Sequence, residues 1–466
     1  MIKEVFKHHL APALSLFLLF AITPAIALAQ QQSTDQAPPT LVRPTALPWP
    51  APAKTAQPTT TADVVTEVAP PPYEQPFFGL QGVLVETLDG QKVAEQSVSE
   101  LFNPASAIKL ATALLALRTF GPQHRFVTAL WTNGTFDKAT GTITGDLIVS
   151  GRDPSFHYEH AVMLAKELNR QGVRVVTGDL IVAPRFTMNF DWSAQRSGNK
   201  LYDTLDATRR PAPAVRAWNE ERLVLGDQAS LQSVPSVAVM GAVYVDSVPA
   251  GARTLLLHRS SKLADILKVL LCYSNNFMAE RIGDTLGGPQ ALQRFLISTV
   301  GVRPEEVQVA SASGLGKSRI TPRAMMKVYR ALSDELAKNN LSPSDIISVA
   351  GVDPGTLEKR YTSEQSRGSV IAKTGTLIRT DGGASALVGQ MQTRTGETLL
   401  FVIFNQRGNV LRFRINQDAL ITQIQNSRGG PAPFNYRPLT LAMRLTDTEQ
   451  SALMPASDEE YEPAGN

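Results

Sequence analysis

The stretch Asn103-Pro-Ala-Ser-Ala-Ile-Lys-Leu-Ala-Thr-Ala-Leu-Leu-Ala-Leu117 decides the fold. Asn103-Pro104 opens a helix, and the Ala- and Leu-rich run from Ala105 to Leu117 strongly favours one. At a helix start the i and i+3 positions share a face, so Ser106 and Lys109 stand side by side. The positive end of the helix dipole lies near Ser106 and favours negative charge developing there. A serine with a lysine at that spacing is a nucleophile with a base at hand. Taken alone the pattern is weak. Ser106 also fits as a near-cap residue and Lys109 as a solvated charge, and Ser197-Gly-Asn-Lys200 repeats the spacing in what reads as a Gly/Asn loop.

Two more motifs follow in order. Ser274-Asn-Asn276 lies within a Leu- and Ile-rich helix expected over Ser261 to Gly283 and reads, by itself, as a polar break. Lys373-Thr-Gly-Thr376 is more specific. A strand from Ser369 to Ala372 that ends in Lys, followed by Gly where a ligand must approach closely, suits carboxylate capture. The bland reading is an edge-strand lysine before a turn. All three in order, each in the right kind of element, supply a nucleophile, a base and a cationic strand.

The set resembles the S-x-x-K, S-x-N and K-T-G motifs of the serine penicillin-binding enzymes. Pro104-Ala-Ser-Ala-Ile-Lys109 is similar to the class C low-molecular-mass penicillin-binding proteins, the D-alanyl-D-alanine carboxypeptidase/endopeptidases. So are Gly145 to Pro154, Gly172 to Leu180, His258 to Leu263, Tyr273 to Asn276 with Ala279-Glu280, Val349 to Leu357, and Ala372 to Leu377. The resemblance covers roughly Phe77 to Gln425. It departs at Asn275, where the family has Asp, and at Ser311-Ala-Ser-Gly-Leu-Gly316, where the family has a D-G-S-G-L-S-like segment. The long stretch between Ser106 and Ser274 matches the family's accessory insertion.

The resemblance implies an α+β fold: a serine β-lactamase/DD-transpeptidase-like domain, with an antiparallel sheet flanked by helices and a mainly β insertion. It implies that Ser106 attacks the carbonyl between two terminal D-alanines of a peptidoglycan stem peptide, with Lys109 taking its proton. Lys373 would depress the Lys109 pKa, Ser274 would relay a proton to the leaving amine, and Asn276 would hold the substrate amide. Lys373, Thr374, Gly375 and Thr376 would receive the terminal carboxylate, and the N–H groups of Ser106 and Thr376 would form the oxyanion hole. β-Lactams would acylate Ser106, and no cofactor is implied. The rivals are a β-lactamase, a transpeptidase, and a non-catalytic periplasmic binding or scaffold protein.

Outward from the motifs, the 466 residues suffice for a large core and two or three domains. The chain is 43% hydrophobic with a net charge of only +3 and scattered basic residues, which does not suggest a nucleic-acid binder. Residues 1–29 read as a signal peptide. Lys3 and Lys7 precede an apolar Leu10 to Ile22, and Ala27-Leu-Ala29 is a small-x-small cleavage site. Left uncleaved, the segment would hold the chain at a membrane. Either outcome exports the rest to the periplasm. Residues 30–73 form a Pro/Thr-rich linker. Residues 74–150 and 258–430 are expected as two parts of the transpeptidase-like domain around an insertion at 151–257, with an exposed tail at 431–466.

Gly82 to Ala94 predicts a hairpin about Asp89-Gly90. Val173 to Val182 reads as a strand pair, and Phe186 to Pro249 as short β-like runs and Pro-rich turns. The single cysteine, Cys272, sits in an apolar run and reads as core. His157 and His160, with Asp153 and Glu159, have a loose metal-like spacing and read instead as loop histidines, so no metal is expected.

Overall fold

The computed structural model describes residues 79–226 and 234–452. The signal segment, the linker and the acidic residues Asp458 to Glu462 lie outside them. A five-stranded antiparallel sheet forms the centre, in the spatial order Val370–Leu377, Ala384–Gln392, Thr398–Gln406, Leu80–Thr87, Lys92–Gln96. The first strand of the described residues thus pairs with the last of the catalytic half, Leu80 opposite Gln406, and one domain is closed from two distant stretches of chain. Leu399-Leu-Phe-Val-Ile-Phe404 is apolar without a break because the sheet is covered on both faces. Leu400, Val402 and Phe404 face a helical core; Leu399, Phe401 and Ile403 face Ile421 and Ile424 of the closing helix, Val410–Asn426.

The helical core is built from Lys109–Phe120, Leu263–Tyr273, Asn276–Thr285 and Pro322–Lys338. The helix expected over 261–283 is broken at Ser274, which adopts a left-handed φ of 56° and caps the first half. The Asn275 side chain then accepts the Met278 N–H at 3.1 Å and starts the second. The polar break is therefore real, and it is also the second motif. Asn275 in place of Asp does the work of an N-cap.

The insertion is a mixed body rather than a mainly β one. Its six-stranded sheet runs Val243–Val245, Leu180–Val182, Leu147–Gly151, Val127–Thr132, Arg253–Arg259, Glu449–Ala452, beside a small four-stranded sheet. Three helices accompany the sheets: Tyr158–Arg170, Ala194–Leu205 and Ala212–Leu225. The last two fall where short β-like runs were expected. Ser197 and Lys200 sit on the first of them, in a helix rather than a loop. Val175–Val176 and Leu180–Val182 do not pair with each other, because each joins a different sheet in parallel. We propose to draw the limits of the insertion at Val127 and Arg259, since the strands Val127–Thr132 and Leu147–Gly151 belong to its sheet.

The C-terminal segment is not an exposed tail as far as residue 452. Phe434 N–H donates to Gly368 O, Tyr436 Oη–H to Asp353, and Glu449–Ala452 pairs with Arg253–Arg259. His157 and His160 are not loop residues: His157 caps the Tyr158–Arg170 helix and His160 is buried beside His258. Among the described residues no three His, Cys, Asp or Glu side chains are grouped to hold a metal ion. Cys272 is buried, and burial pushes its thiol up to about 11.

Candidate active site

The nucleophile turn is held from several sides. Ala105 has a left-handed φ of 46°, a conformation that costs a non-glycine residue roughly 1–2 kcal/mol. Asn103 stabilises it: its Oδ1 accepts the Ala105 N–H at 2.9 Å, and its Nδ2 donates to Asp381 at 2.7 Å and to Gly316 O at 3.0 Å. Arg319 closes that network on Asp381 at 2.8 Å. A single 3₁₀ turn, Ala105–Ile108, then leads into the Lys109–Phe120 helix and places Ser106 and Lys109 on one face.

Lys109 Nζ lies 2.9 Å from Ser106 Oγ, 2.7 Å from Asn276 Oδ1 and 2.6 Å from Ser313 O. The last two atoms can only accept. A neutral amine has two N–H bonds and one lone pair, so with both protons spent on Asn276 and Ser313 its lone pair faces the Ser106 hydroxyl. Burial pushes Lys109 down to about 7, while the Glu280 carboxylate pulls the other way. Lys373 donates to Ser274 Oγ at 2.8 Å and to Thr374 O at 2.7 Å. It is fully buried, and burial first, then the Lys109 charge, holds it well below the ordinary lysine range. The two lysines thus serve two serines, and Lys109 discourages charge on Lys373, whereas the depression of Lys109 comes from its burial.

Ser106, Ser274, Asn276, Thr374 and Thr376 line one cavity of about 700 Å³. The structure therefore brings together residues from three distant motifs. Three of the expected residues stand off its wall, and Lys109 is one of them, buried against Ser106 and Asn276. Lys373 is behind the cavity wall, with its ammonium turned to Ser274. Gly375 is not where a ligand approaches: a Cβ there would meet Pro104 O at 2.5 Å and Ala386 Cβ at 3.0 Å. Its missing side chain lets the strand pack against the nucleophile turn.

Several residues were not assigned a role from sequence. Glu280 accepts the Ser313 N–H at 2.8 Å and the Ala312 N–H at 3.3 Å, which aims the Ser313 carbonyl at Lys109. It stands four positions after Asn276 on one helix, a spacing that could have revealed it. Thr112 Oγ1–H donates to Ala312 O at 2.7 Å and clamps the same loop. Arg414, from the closing helix, lines the cavity and donates to Thr376 Oγ1 at 2.8 Å. No local pattern marks it, because only folding brings that helix to the third motif.

A family model for D-Ala-D-Ala carboxypeptidase 3 (S13) matches residues 71–203 and 204–423. The chain belongs to that family. Its members are serine peptidases that act on peptidoglycan, and the chain is an enzyme of this class. Among curated relatives, a carboxypeptidase of Mycobacterium tuberculosis is 26% identical over 80% of this chain and 86% of its own. A D-alanyl-D-alanine carboxypeptidase of an Actinomadura species is 25% identical, covering 76% of this chain and 82% of its own. Two solved structures share the fold. A predatory endopeptidase of Bdellovibrio bacteriovorus superposes with a TM-score of 0.66 at 22% identity, over 80% of this chain and all of its own. Penicillin-binding protein 4 of Haemophilus influenzae gives 0.56 at 22% identity, over 75% of this chain and 97% of its own. The α+β transpeptidase-like fold expected from sequence is the fold observed.

Proposed function

We propose that this S13 enzyme cleaves the bond between the terminal D-alanines of peptidoglycan stem peptides through an acyl-enzyme on Ser106. The observation that carries the assignment is the Lys109 amine, depressed to about 7 and held with its lone pair on Ser106 Oγ. Lys109 takes the hydroxyl proton as Oγ bonds to the carbonyl carbon, and such a positioned base contributes roughly 10²–10⁴ in rate. Ser274, tied to Lys373, stands where it can pass a proton to the leaving amine as the C–N bond breaks. The N–H groups of Ser106 and Thr376 are assigned to the developing oxyanion. Asn276 lines the cavity beside Lys109 and suits the substrate amide.

The seat for the terminal carboxylate is assigned to the Thr374 and Thr376 hydroxyls with Arg414, the cation on the cavity wall that reaches Thr376. The buried Lys373 acts on Ser274 and adds positive potential from behind. Asp418, a carboxylate lining the cavity, is held by Arg360 at 2.9 and 3.0 Å. That engagement favours slow release of a β-lactam over its rapid turnover. The apolar N-terminal segment supports export to the periplasm. No helix among the described residues is long and apolar enough to cross a membrane.

The test is intact-protein mass after incubation with a labelled penicillin, beside Ser106→Ala. A stable adduct on the wild type, absent from the variant, is expected. Fast hydrolysis without accumulation would make the protein a β-lactamase. Neither adduct nor hydrolysis would leave a non-catalytic scaffold.

A further inference from the structure

A second cavity, of about 410 Å³, opens between the insertion and the catalytic domain. Its wall holds three guanidiniums, from Arg152 and Arg185 of the insertion and Arg281 of the Asn276–Thr285 helix, against one carboxylate, Asp284. Gly287 and Gly288 add the start of the Gly288–Ser298 helix, which has no side-chain cap. Arg152 and Arg185 are exposed and make no hydrogen bond or ion pair among the described residues. Arg281 is fixed. Its guanidinium lies over the rings of Trp192 at 5.0 Å and Phe277 at 5.5 Å, its buried Nε has no partner, and Asp284 reaches it only at 3.4 Å.

Such an arrangement is unfavourable without a ligand. Three like charges share one concave wall, and concavity focuses their field. A guanidinium is planar and suited to bidentate oxyanions. Arg281 is already ordered by its two aromatic neighbours, so little entropy is lost when it binds. The position is informative too. Arg281 follows Asn276 by five residues on one helix, an axial rise of about 7.5 Å. The cleft therefore begins one and a half turns from the catalytic motif.

The geometry points to a second substrate-binding site here, one that takes carboxylate groups of a neighbouring stem peptide on the same cell-wall polymer. This rests on the peptidoglycan reading above. The cleft lies outside the Ser106 cavity, so it anchors the polymer without touching the reacting atoms. Free inorganic phosphate presents the same oxyanion chemistry, and the experiment separates the two sources.

The wild type and the double variant Arg152→Gln/Arg185→Gln are compared by cosedimentation with purified peptidoglycan sacculi at low and high salt, and by their rate of acylation by labelled penicillin. Loss of two charged contacts raises the dissociation constant from sacculi about tenfold or more. Salt weakens the wild-type binding and has little effect on the variant. Acylation is unchanged. Unaltered affinity for sacculi overturns the site, and so does a parallel loss of acylation, which would give these arginines to the fold. If inorganic phosphate raises the melting temperature of the wild type only, while sacculi binding is equal in both, the cleft is a phosphate site and the polymer assignment fails. A wild type that takes no penicillin refutes the catalytic reading alone, because the sedimentation result stands apart from it.

Discussion

At the scale of single residues, the site is organised around one proton. Lys109 must be neutral to receive it, and an amine is neutral above its pKa. Acylation therefore rises with pH through about 7 and levels off above. Glu280 has two effects on this group. Its charge raises the Lys109 pKa, and its carboxylate positions the Ser313 carbonyl that orients the amine. Glu280→Gln keeps a single acceptor and removes the charge. The acidic limb of the acylation profile is expected to move to lower pH, and the plateau to fall roughly 10- to 100-fold through looser positioning. A pH profile of penicillin acylation checks both. A lower plateau with an unmoved limb would limit Glu280 to holding the loop.

At the scale of elements, the catalytic motifs meet because backbones approach closely. Gly375 lets the third motif's strand lie on Pro104 O. Gly375→Ala forces that strand or the nucleophile turn aside, at a cost of about 1–3 kcal/mol. A lower melting temperature and slower acylation are expected together, since the same contact sets the distance from Thr376 to Ser106. Unchanged melting would show that the strand yields freely. The elements that were legible in the sequence were those whose pattern is local. The nucleophile helix announced itself by Ala and Leu after Asn103-Pro104, and the hairpin of Leu80–Thr87 and Lys92–Gln96 by Asp89-Gly90. The helix Ala194–Leu205 was hidden by Gly198, which weakens any helical reading. Its reason is tertiary: a Cβ at Gly198 would meet Val182 Cγ2 at 2.5 Å and Val243 Cγ1 at 2.8 Å. The same holds for the site. Ser106, Lys109, Ser274 and Asn276 were found by motif, whereas Arg414 arrives from another element and left no trace.

At the scale of the whole molecule, the C-terminal segment ties the two bodies together. Tyr436 donates to Asp353, which pairs with Lys268 at 2.6 Å in full burial, and Lys268 lies on the helix that ends at Ser274. Asp353→Ala strands that ammonium and is expected to cost about 3–5 kcal/mol, read as a loss in denaturant midpoint. Further along, Arg444 holds Asp265 at 2.7 Å, Asp447 and Glu449 hold Arg125 at 2.9 and 3.1 Å, and Glu449–Ala452 covers the edge strand Arg253–Arg259. An uncovered edge is a row of unpaired donors and acceptors that recruits other chains. A chain ending at Thr446 therefore keeps its Ser106 site, since every residue lining that cavity lies before the cut. It loses the edge cover and both carboxylate partners of Arg125, which keeps only its bond to Ser260 O. Penicillin acylation at the wild-type rate is expected from the freshly purified truncated protein, with a melting temperature lower by a few degrees and concentration-dependent association in light scattering. A monodisperse truncated chain with unchanged melting would mean that the last strand only decorates the sheet. A monomer that no longer acylates would mean that the segment reaches Ser274 through the helix it braces.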